Sequence, residues 1–385
     1  MSMVRAGQPG GSGGVLESLT RLRWYAALGV FCFHYGFVVH SAGLEAALSL
    51  GYEGVPFFFM LSGFVLTWAH RPADGAARFL RNRFARIWPL VAVTTLVIGL
   101  IDLSQGRPPT AADLVYNLTF TQAWSPSHFY AVNAVTWTLS CEAFFYLLFP
   151  YLIRVISRLR PWALIATALT ADAATAATRI WTGTHAMPPG LAKEVIASPL
   201  ALTPMFVVGI CAGLLAKNGA WLPVGARAAR LLTVGALAAC WYWGRHPHLV
   251  PSPVPPGIGV YDAVLIPFFA LTAAALARRD AAGPGGTSWY GRVMVRLGEA
   301  SFAFYLVHVA VRDNWMRYGW LTGPGSAVLP FLLSLALALL LHSLVERPAQ
   351  RWLKGKPKRS APAAVPQQPA PAPAAEPLRS GVGAD

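Results

Sequence analysis

The chain has 385 residues, 55% of them apolar and only 12% charged, with a mean hydropathy of +0.48. A soluble domain carries about 25% charged residues, so this composition excludes an ordinary soluble globular protein and points to a membrane. The net charge of +15 does not indicate nucleic acid, because the basic residues are spread between apolar runs, where anionic headgroups at a cytoplasmic face account for them.

Four cysteines (Cys32, Cys141, Cys211 and Cys240) lie in or beside apolar runs without CxxC spacing. Neither a disulfide framework nor a zinc site is indicated, and no metal is expected. The N-terminus is Gly-rich up to Gly14 and lacks a signal-peptide apolar region. Residues 1–18 read as a disordered cytoplasmic segment, 19–353 as one transmembrane domain, and 354–385 as a disordered tail, basic and then Pro/Ala-rich.

In order, the chain offers ten apolar segments, at about 22–41, 53–70, 87–103, 136–154, 162–178, 198–216, 230–244, 258–277, 297–317 and 326–346. Most approach the roughly 20 residues that a bilayer-spanning helix needs. The fifth is Ala/Thr-rich and contains Asp172; the ninth holds Glu299, His308, Arg312 and Asp313. Charge bias decides the fifth. With ten spans and both termini cytoplasmic, 25 of the 31 Lys and Arg fall inside and 6 outside, whereas deleting 162–178 gives 16 against 15. The positive-inside rule therefore retains it. The expected fold is an all-α polytopic membrane helix bundle of about ten transmembrane helices. Its longer outer loops are 104–135, 179–197 and 245–257, and a short interfacial helix is expected within 113–123. No internal repeat, Walker loop or GxGxxG is present.

Candidate chemistry begins with Arg23–His34. Eleven residues make three helical turns plus about 20°, so both share a face with Ala27 and Val30, about 16 Å apart along the axis. A histidine within apolar sequence at the end of a polar path is a chemical site by default. Ser62-Gly63 are small residues in a bulky helix, suited to close helix packing or to leaving room for a ligand arm. Arg83 and Arg86 share a helix face next to Arg81; that spacing suits phosphate recognition, and equally suits positive-inside anchoring. Glu142, the sole carboxylate of its span, needs a partner, and His34 is the expected one. Ser301, Tyr305, His308 and Arg312 form one polar stripe that should line an internal cavity. His342 and Glu346 read as interfacial anchoring, and Glu346-Arg347-Pro348 as the end of the last helix.

Six pieces in order resemble the acyltransferase-3 family over nearly the whole chain, from Leu19 to Trp352. They are the Arg23-to-His34 spacing; Gly54-Val55 with Phe58-Phe59-x-x-Ser62-Gly63-Phe64; Arg83-x-x-Arg86-Ile-Trp-Pro89; Trp137-x-Leu139-x-x-Glu142-x-x-Phe145-Tyr146; Leu297-Gly298-x-x-Ser301-x-x-x-Tyr305-Leu306-x-His308; and Glu346-Arg-Pro348. The resemblance implies ten or so helices in a bacterial plasma membrane. It also implies transfer of an acyl group from acyl-CoA to a hydroxyl of an envelope-polysaccharide sugar or a glycosylated metabolite such as a macrolide. It makes His34 the essential histidine, Arg23 its partner, Arg83 and Arg86 (with Arg81 beside them) the acyl-CoA-binding residues, and Glu142 the buried acid. Ser62, Ser301, Tyr305 and His308 fall to the substrate pocket.

The wording FFFMLSGFVLTW looks like members acting on macrolides or other secondary metabolites. Many members carry Asp-Gly where this chain has Thr20-Arg21, and Thr138 replaces a commoner serine. No esterase-like domain follows the helices, which disfavours a two-domain relay. The implied donor is acyl-CoA, used as a substrate, with no permanently bound cofactor. The implied partners are a carbohydrate or glycosylated acceptor and membrane lipids. In the mechanism this suggests, acyl-CoA docks from the cytoplasm on Arg83 and Arg86. Its pantetheine arm climbs the Arg23–Ala27–Val30 stripe, and His34 deprotonates the acceptor hydroxyl with Glu142 orienting the imidazole. The alternative is a non-catalytic transporter of a small solute or lipid-linked sugar. A membrane-bound O-acyltransferase of the other kind shares the chemistry but not the motifs.

Overall fold

A computed structural model describes residues 16–38, 41–72, 75–186, 188, 191–220, 224–246, 248, 260–283 and 288–354. Residues 1–15 and 355–385, expected to be disordered, and most of the expected outer loop 245–257 lie outside the described residues. All regular structure among the described residues is helical. In chain order the helices are α1 (Glu17–Tyr35), α2 (Ala42–Ser49), α3 (Gly54–Ala69), α4 (Ala76–Ser104), α5 (Ala111–Leu118), α6 (Trp137–Ile156), α7 (Pro161–Thr184), α8 (Leu191–Ile196), α9 (Pro199–Lys217), α10 (Ala226–Arg245), α11 (Val260–Ala282), α12 (Trp289–Arg317), α13 (Val328–Leu341) and α14 (Arg347–Lys354).

Among the described residues, each of the ten predicted segments overlaps a helix. Seven helical stretches among the described residues are long and apolar enough to cross a membrane. Those outside that set are α1, whose first two turns hold Glu17, Arg21 and Arg23, and the less apolar α7 and α10. Large apolar side chains remain exposed around the bundle, among them Leu100, Leu147, Leu231, Leu329 and Leu344. Trp162, Trp289 and Trp352 stand exposed near helix ends, as belt residues do.

Local sequence sets the helix ends. Pro161 and Pro199 occupy first-turn positions, where no backbone N–H is required. Ser198 accepts from the Ala201 amide, and Ser288 from that of Gly291. Thr110 and Asp113 form a reciprocal capping box at α5, the short outer helix expected from sequence. At the end of α12, Gly319 takes a positive φ of 68°, which lets Trp320 N–H reach the Trp315 carbonyl at 3.1 Å.

Glycines permit two close helix contacts. A Cβ on Gly63 of α3 would run into the Phe206 carbonyl of α9, and one on Gly209 of α9 into the Met60 carbonyl. A Cβ on Gly298 of α12 would collide with the Thr20 carbonyl of α1. Gly298→Leu is therefore expected to wedge α1 from α12. Overpacking of this kind costs about 1–3 kcal/mol or more, to be read as a lower thermal midpoint of the purified protein. An unchanged midpoint would show that the contact is dispensable.

Two predicted features are corrected. The last helix does not stop at Glu346-Arg347-Pro348. It passes through a π turn at His342–Glu346 and continues as α14 to Lys354. The wider register precedes Pro348, whose ring would clash with the carbonyl four residues back in α geometry. Glu346 is buried rather than interfacial, accepting from His342 Nδ1 at 2.8 Å and Gln350 Nε2 at 3.0 Å.

The second correction concerns Arg179, expected in an outer loop. It lies within α7, 3% exposed, and donates to Asp262 of α11 at 2.6 Å and to the Ile196 carbonyl at 2.9 Å. Breaking one side of a buried pair costs about 3–5 kcal/mol, whereas apolar replacement of both is often near neutral. Arg179→Met is thus expected to lower the thermal midpoint strongly, and Arg179→Met/Asp262→Leu to recover much of the loss. A double variant no better than the single one would contradict this.

Candidate active site

One cavity of about 330 Å³ opens between α1, α3, α4, α6 and α12. At one end it is lined by Leu16 and Leu19 at the start of α1, Trp68 and Ala69 at the end of α3, and Arg83 on α4. Arg23, Arg83, Arg86 and Glu142 face into it, with Ser62, Ser301 and Tyr305 further along. Seven of the ten predicted site residues therefore share one space. Arg81 does not; it is exposed on the outer side of α4. His34 and His308 do not line the cavity either.

Spacing explains the arginine cluster. Arg83 and Arg86, three apart on α4, present to the same side, and Arg23 meets them from α1. None of the three forms a salt bridge among the described residues, and Arg83 Nε is buried without a partner. Glu142 lies close enough to interact electrostatically with all three, but its one described hydrogen bond comes from the Tyr146 hydroxyl, 3.1 Å away. Three guanidinium groups around one carboxylate leave the cavity strongly positive and ready for an anion.

The expected Glu142–His34 pair is not formed. The cause is the segment between α5 and α6, which folds into the bundle instead of running over it. Phe120, Gln122, Phe129, Asn133 and Thr136 are buried there. Irregular backbone at this depth is tolerated because its polar groups find protein partners. Asn117 donates to the Ala131 carbonyl (2.8 Å) and Thr136 Oγ1 (2.9 Å), and Asn133 Nδ2 to the Leu306 carbonyl (2.9 Å). Consequently α6 starts inside the bundle, and Glu142 falls at the level of the arginines.

His34 pairs instead with His308, their Nδ1 and Nε2 atoms 3.0 Å apart. His308 is fully buried, and its Nδ1 lies 2.8 Å from the Tyr305 carbonyl. The Arg312 side chain reaches the His34 carbonyl at 3.5 Å. The polar stripe of α12 thus divides: Ser301 and Tyr305 line the cavity, while His308 and Arg312 face α1 beyond it.

The predicted ligand path along Ala27 and Val30 is also closed. Both are buried, 1% and 0% exposed, because Gly54 lets α3 approach the Ala26 carbonyl and the Val30 side chain. The open space runs between α3 and α12, and ends at Phe58, Thr138 and Tyr305. Tyr305 closes that end with its hydroxyl 3.1 Å from Thr138 Oγ1. The Tyr305 and His308 ring centroids are 5.7 Å apart, and those of His308 and His34 5.0 Å. Ser62 and Gly63 take one use each: Ser62 lines the cavity and Gly63 packs on α9.

Sequence reasoning did not single out Thr138 or Tyr146 as site residues, though both flank Glu142 at helical spacing, four residues away on either side.

Comparison with known proteins identifies the family. The family model described as an acyltransferase domain matches residues 16–345. The chain is 33% identical over 384 residues to acyltransferase MdmB of Streptomyces mycarofaciens, covering 90% of this chain and 95% of that protein. It is 26% identical over 318 residues to nodulation protein 10 of Rhizobium leguminosarum bv. viciae, covering 77% and 82%. No solved structure matches the chain significantly. With a cationic cavity inside a membrane bundle and a family model spanning nearly its whole length, the chain belongs to the acyltransferase-3 family and is a membrane acyltransferase.

Proposed function

We propose that the protein transfers an acetyl or other short acyl group from acyl-CoA to a hydroxyl of a carbohydrate or glycosylated small molecule. It works in the bacterial cell membrane, with ten spans and both termini cytoplasmic. In that orientation the cavity mouth faces the cytoplasm, where acyl-CoA resides.

The observation that carries this reading is the set of three arginines that line one cavity without a salt bridge among the described residues. A CoA ester presents several phosphate charges on a long, mostly uncharged arm ending in a thioester. Arg83, Arg86 and Arg23 receive the phosphates, and Glu142 offsets part of the repulsion among the three cations. The arm then lies between α3 and α12, past Ser62 and Ser301, toward Tyr305. Arg81, exposed and outside the cavity, has no part in binding.

His34 acts as general base. It takes the proton of the acceptor hydroxyl as the oxygen attacks the thioester carbonyl. The tetrahedral intermediate collapses with cleavage of the C–S bond, and the CoA thiolate takes that proton back, leaving an ester and free CoA. Delivery of the thioester requires the Tyr305 ring to move from the end of the cavity. Because His34 lies at the far end of α1 from the mouth, donor and acceptor approach it from opposite sides.

The test is thiol release from acetyl-CoA and propionyl-CoA by the purified protein. One set of assays contains cell-envelope glycans and the other glycosylated small molecules such as macrolides. Release that requires one acceptor class and is lost in His34→Ala supports the reading. Absence of release with either class, from folded protein that binds a lipid-linked sugar, would overturn it.

A further inference from the structure

The pairing of His34 with His308 fixes which nitrogen of each ring carries hydrogen. His308 Nδ1 faces two backbone carbonyls of its own helix, Tyr305 at 2.8 Å and Phe304 at 3.2 Å. Both are acceptors only, so Nδ1 is the protonated nitrogen. In the neutral ring Nε2 then holds a lone pair, and that lone pair points at His34 Nδ1, 3.0 Å away. His34 Nδ1 also lies 2.9 Å from the Val30 carbonyl. Two acceptors converge on this atom, so it is a donor. The lone pair of His34 is left on Nε2.

We propose that His308 is a positioning residue that holds His34 in the Nδ1–H tautomer, with Nε2 as the proton-accepting nitrogen. This rests on the reading of His34 as general base. The logic is that of a triad in which a third group accepts from the base's second nitrogen, orients its ring and stabilises it once charged. Here the third group is a neutral imidazole instead of a carboxylate. When His34 Nε2 takes the acceptor's proton, its Nδ1–H continues to donate to His308 Nε2. The charge is thereby shared without a buried anion.

The Val30 carbonyl cannot do this alone. It lies four residues back on α1, whereas His308 reaches His34 across a helix interface and sets the ring's rotation. α12 can offer that lone pair because His308 is closely packed on all sides. The ring is fully buried, stacks on Phe304 at 5.9 Å and lies 6.2 Å from Phe31, and its carbonyl accepts from Tyr35 Oη at 3.4 Å. Arg312 donates to the Asp313 carboxylate at 2.8 Å and to the His34 backbone carbonyl at 3.5 Å.

Two measurements on the full-length protein in detergent test the proposal. The first is nitrogen-15 NMR of histidine-labelled protein, with the His34 ring identified by its loss in His34→Ala. The expected state is His34 protonated at Nδ1 and free at Nε2. A ring protonated at Nε2 alone would overturn the proposal, whatever the activity.

The second measurement is thiol release from acetyl-CoA with the glycosylated acceptor that turns over. His308→Gln can place an amide oxygen near the Nε2 position, and His308→Asn, one methylene shorter, cannot. His308→Met keeps the volume without a strong acceptor. His308→Met and His308→Asn are expected to lose about 10²-fold in kcat, at the low end of what a positioned proton acceptor contributes. Their KM for acetyl-CoA should stay within about twofold. His308→Gln should recover at least tenfold of the loss. If Met fails to fold, the Gln–Asn comparison decides. Full activity in His308→Met, or Gln no better than Asn, would overturn the positioning role. A His34→Ala protein with wild-type activity would instead remove the general-base reading on which it rests.

Discussion

Alanine at both Arg83 and Arg86 raises the KM for acyl-CoA by about 10²- to 10⁴-fold in the expected result, with a much smaller change in kcat. Each guanidinium–phosphate hydrogen bond contributes about 1.5–3 kcal/mol when one partner is charged. Two such losses amount to about 3–6 kcal/mol, and each 1.4 kcal/mol is a factor of ten. In the proposed function the pair binds the part of the donor that does not react, so the expected loss is one of uniform binding and appears in KM. Arg81→Ala is the internal control: it is exposed outside the cavity and should leave KM unchanged. An unaltered KM in the double variant would mean that the nucleotide binds elsewhere.

His34→Ala has the opposite signature. General-base catalysis contributes about 10²–10⁴-fold, and the loss is expected almost entirely in kcat. Donor affinity should persist, because His34 lies outside the cavity that holds the arginines. Titration of acetyl-CoA into the folded variant measures the affinity, and initial rates measure kcat. A variant that loses donor binding in proportion to activity would make His34 a structural residue of the bundle.

Much of the framework was legible in the sequence. The ten apolar segments each became a helix, because hydropathy and length are the signals a bilayer imposes. The arginine cluster was legible too: Arg83 and Arg86 share a helix face, and helical spacing is local information. Ser62, Ser301 and Tyr305 reached the cavity for the same reason.

What was not legible depended on contacts between distant segments. The segment between α5 and α6 enters the bundle through Asn117, Asn133 and their carbonyl partners. That shifts Glu142 from the level of His34 to that of the arginines, and no periodicity reveals such a shift. The Ala27–Val30 stripe carries small and medium residues, as a ligand groove would, but Gly54 brings α3 down onto it. The stripe on α12 was continuous in sequence; the packing of Tyr305 against Thr138 splits it into a cavity half and a histidine half. Arg179 follows the apolar segment 162–178 and so reads as a loop residue; its partner Asp262 lies 83 residues away, beyond any local pattern.

The geometry gives the fold a division of labour. Cationic side chains from the N-terminal turns of α1 and α4 line the cavity, and the two imidazoles pair at the other end of α1. About 16 Å of helix separates Arg23 from His34, the distance that the thioester arm of the proposed donor would bridge.

The most direct measurement uses sided membrane vesicles and acetyl-CoA, which does not cross bilayers. Inverted vesicles, with the cytoplasmic face outward, should release thiol from added acetyl-CoA in the presence of acceptor, and should fail to do so with His34→Ala or Arg83→Ala/Arg86→Ala protein. Sealed right-side-out vesicles should release none. Release by right-side-out vesicles alone, or by inverted vesicles at the wild-type rate without His34, would contradict a donor that enters at the arginines and reacts at the histidine.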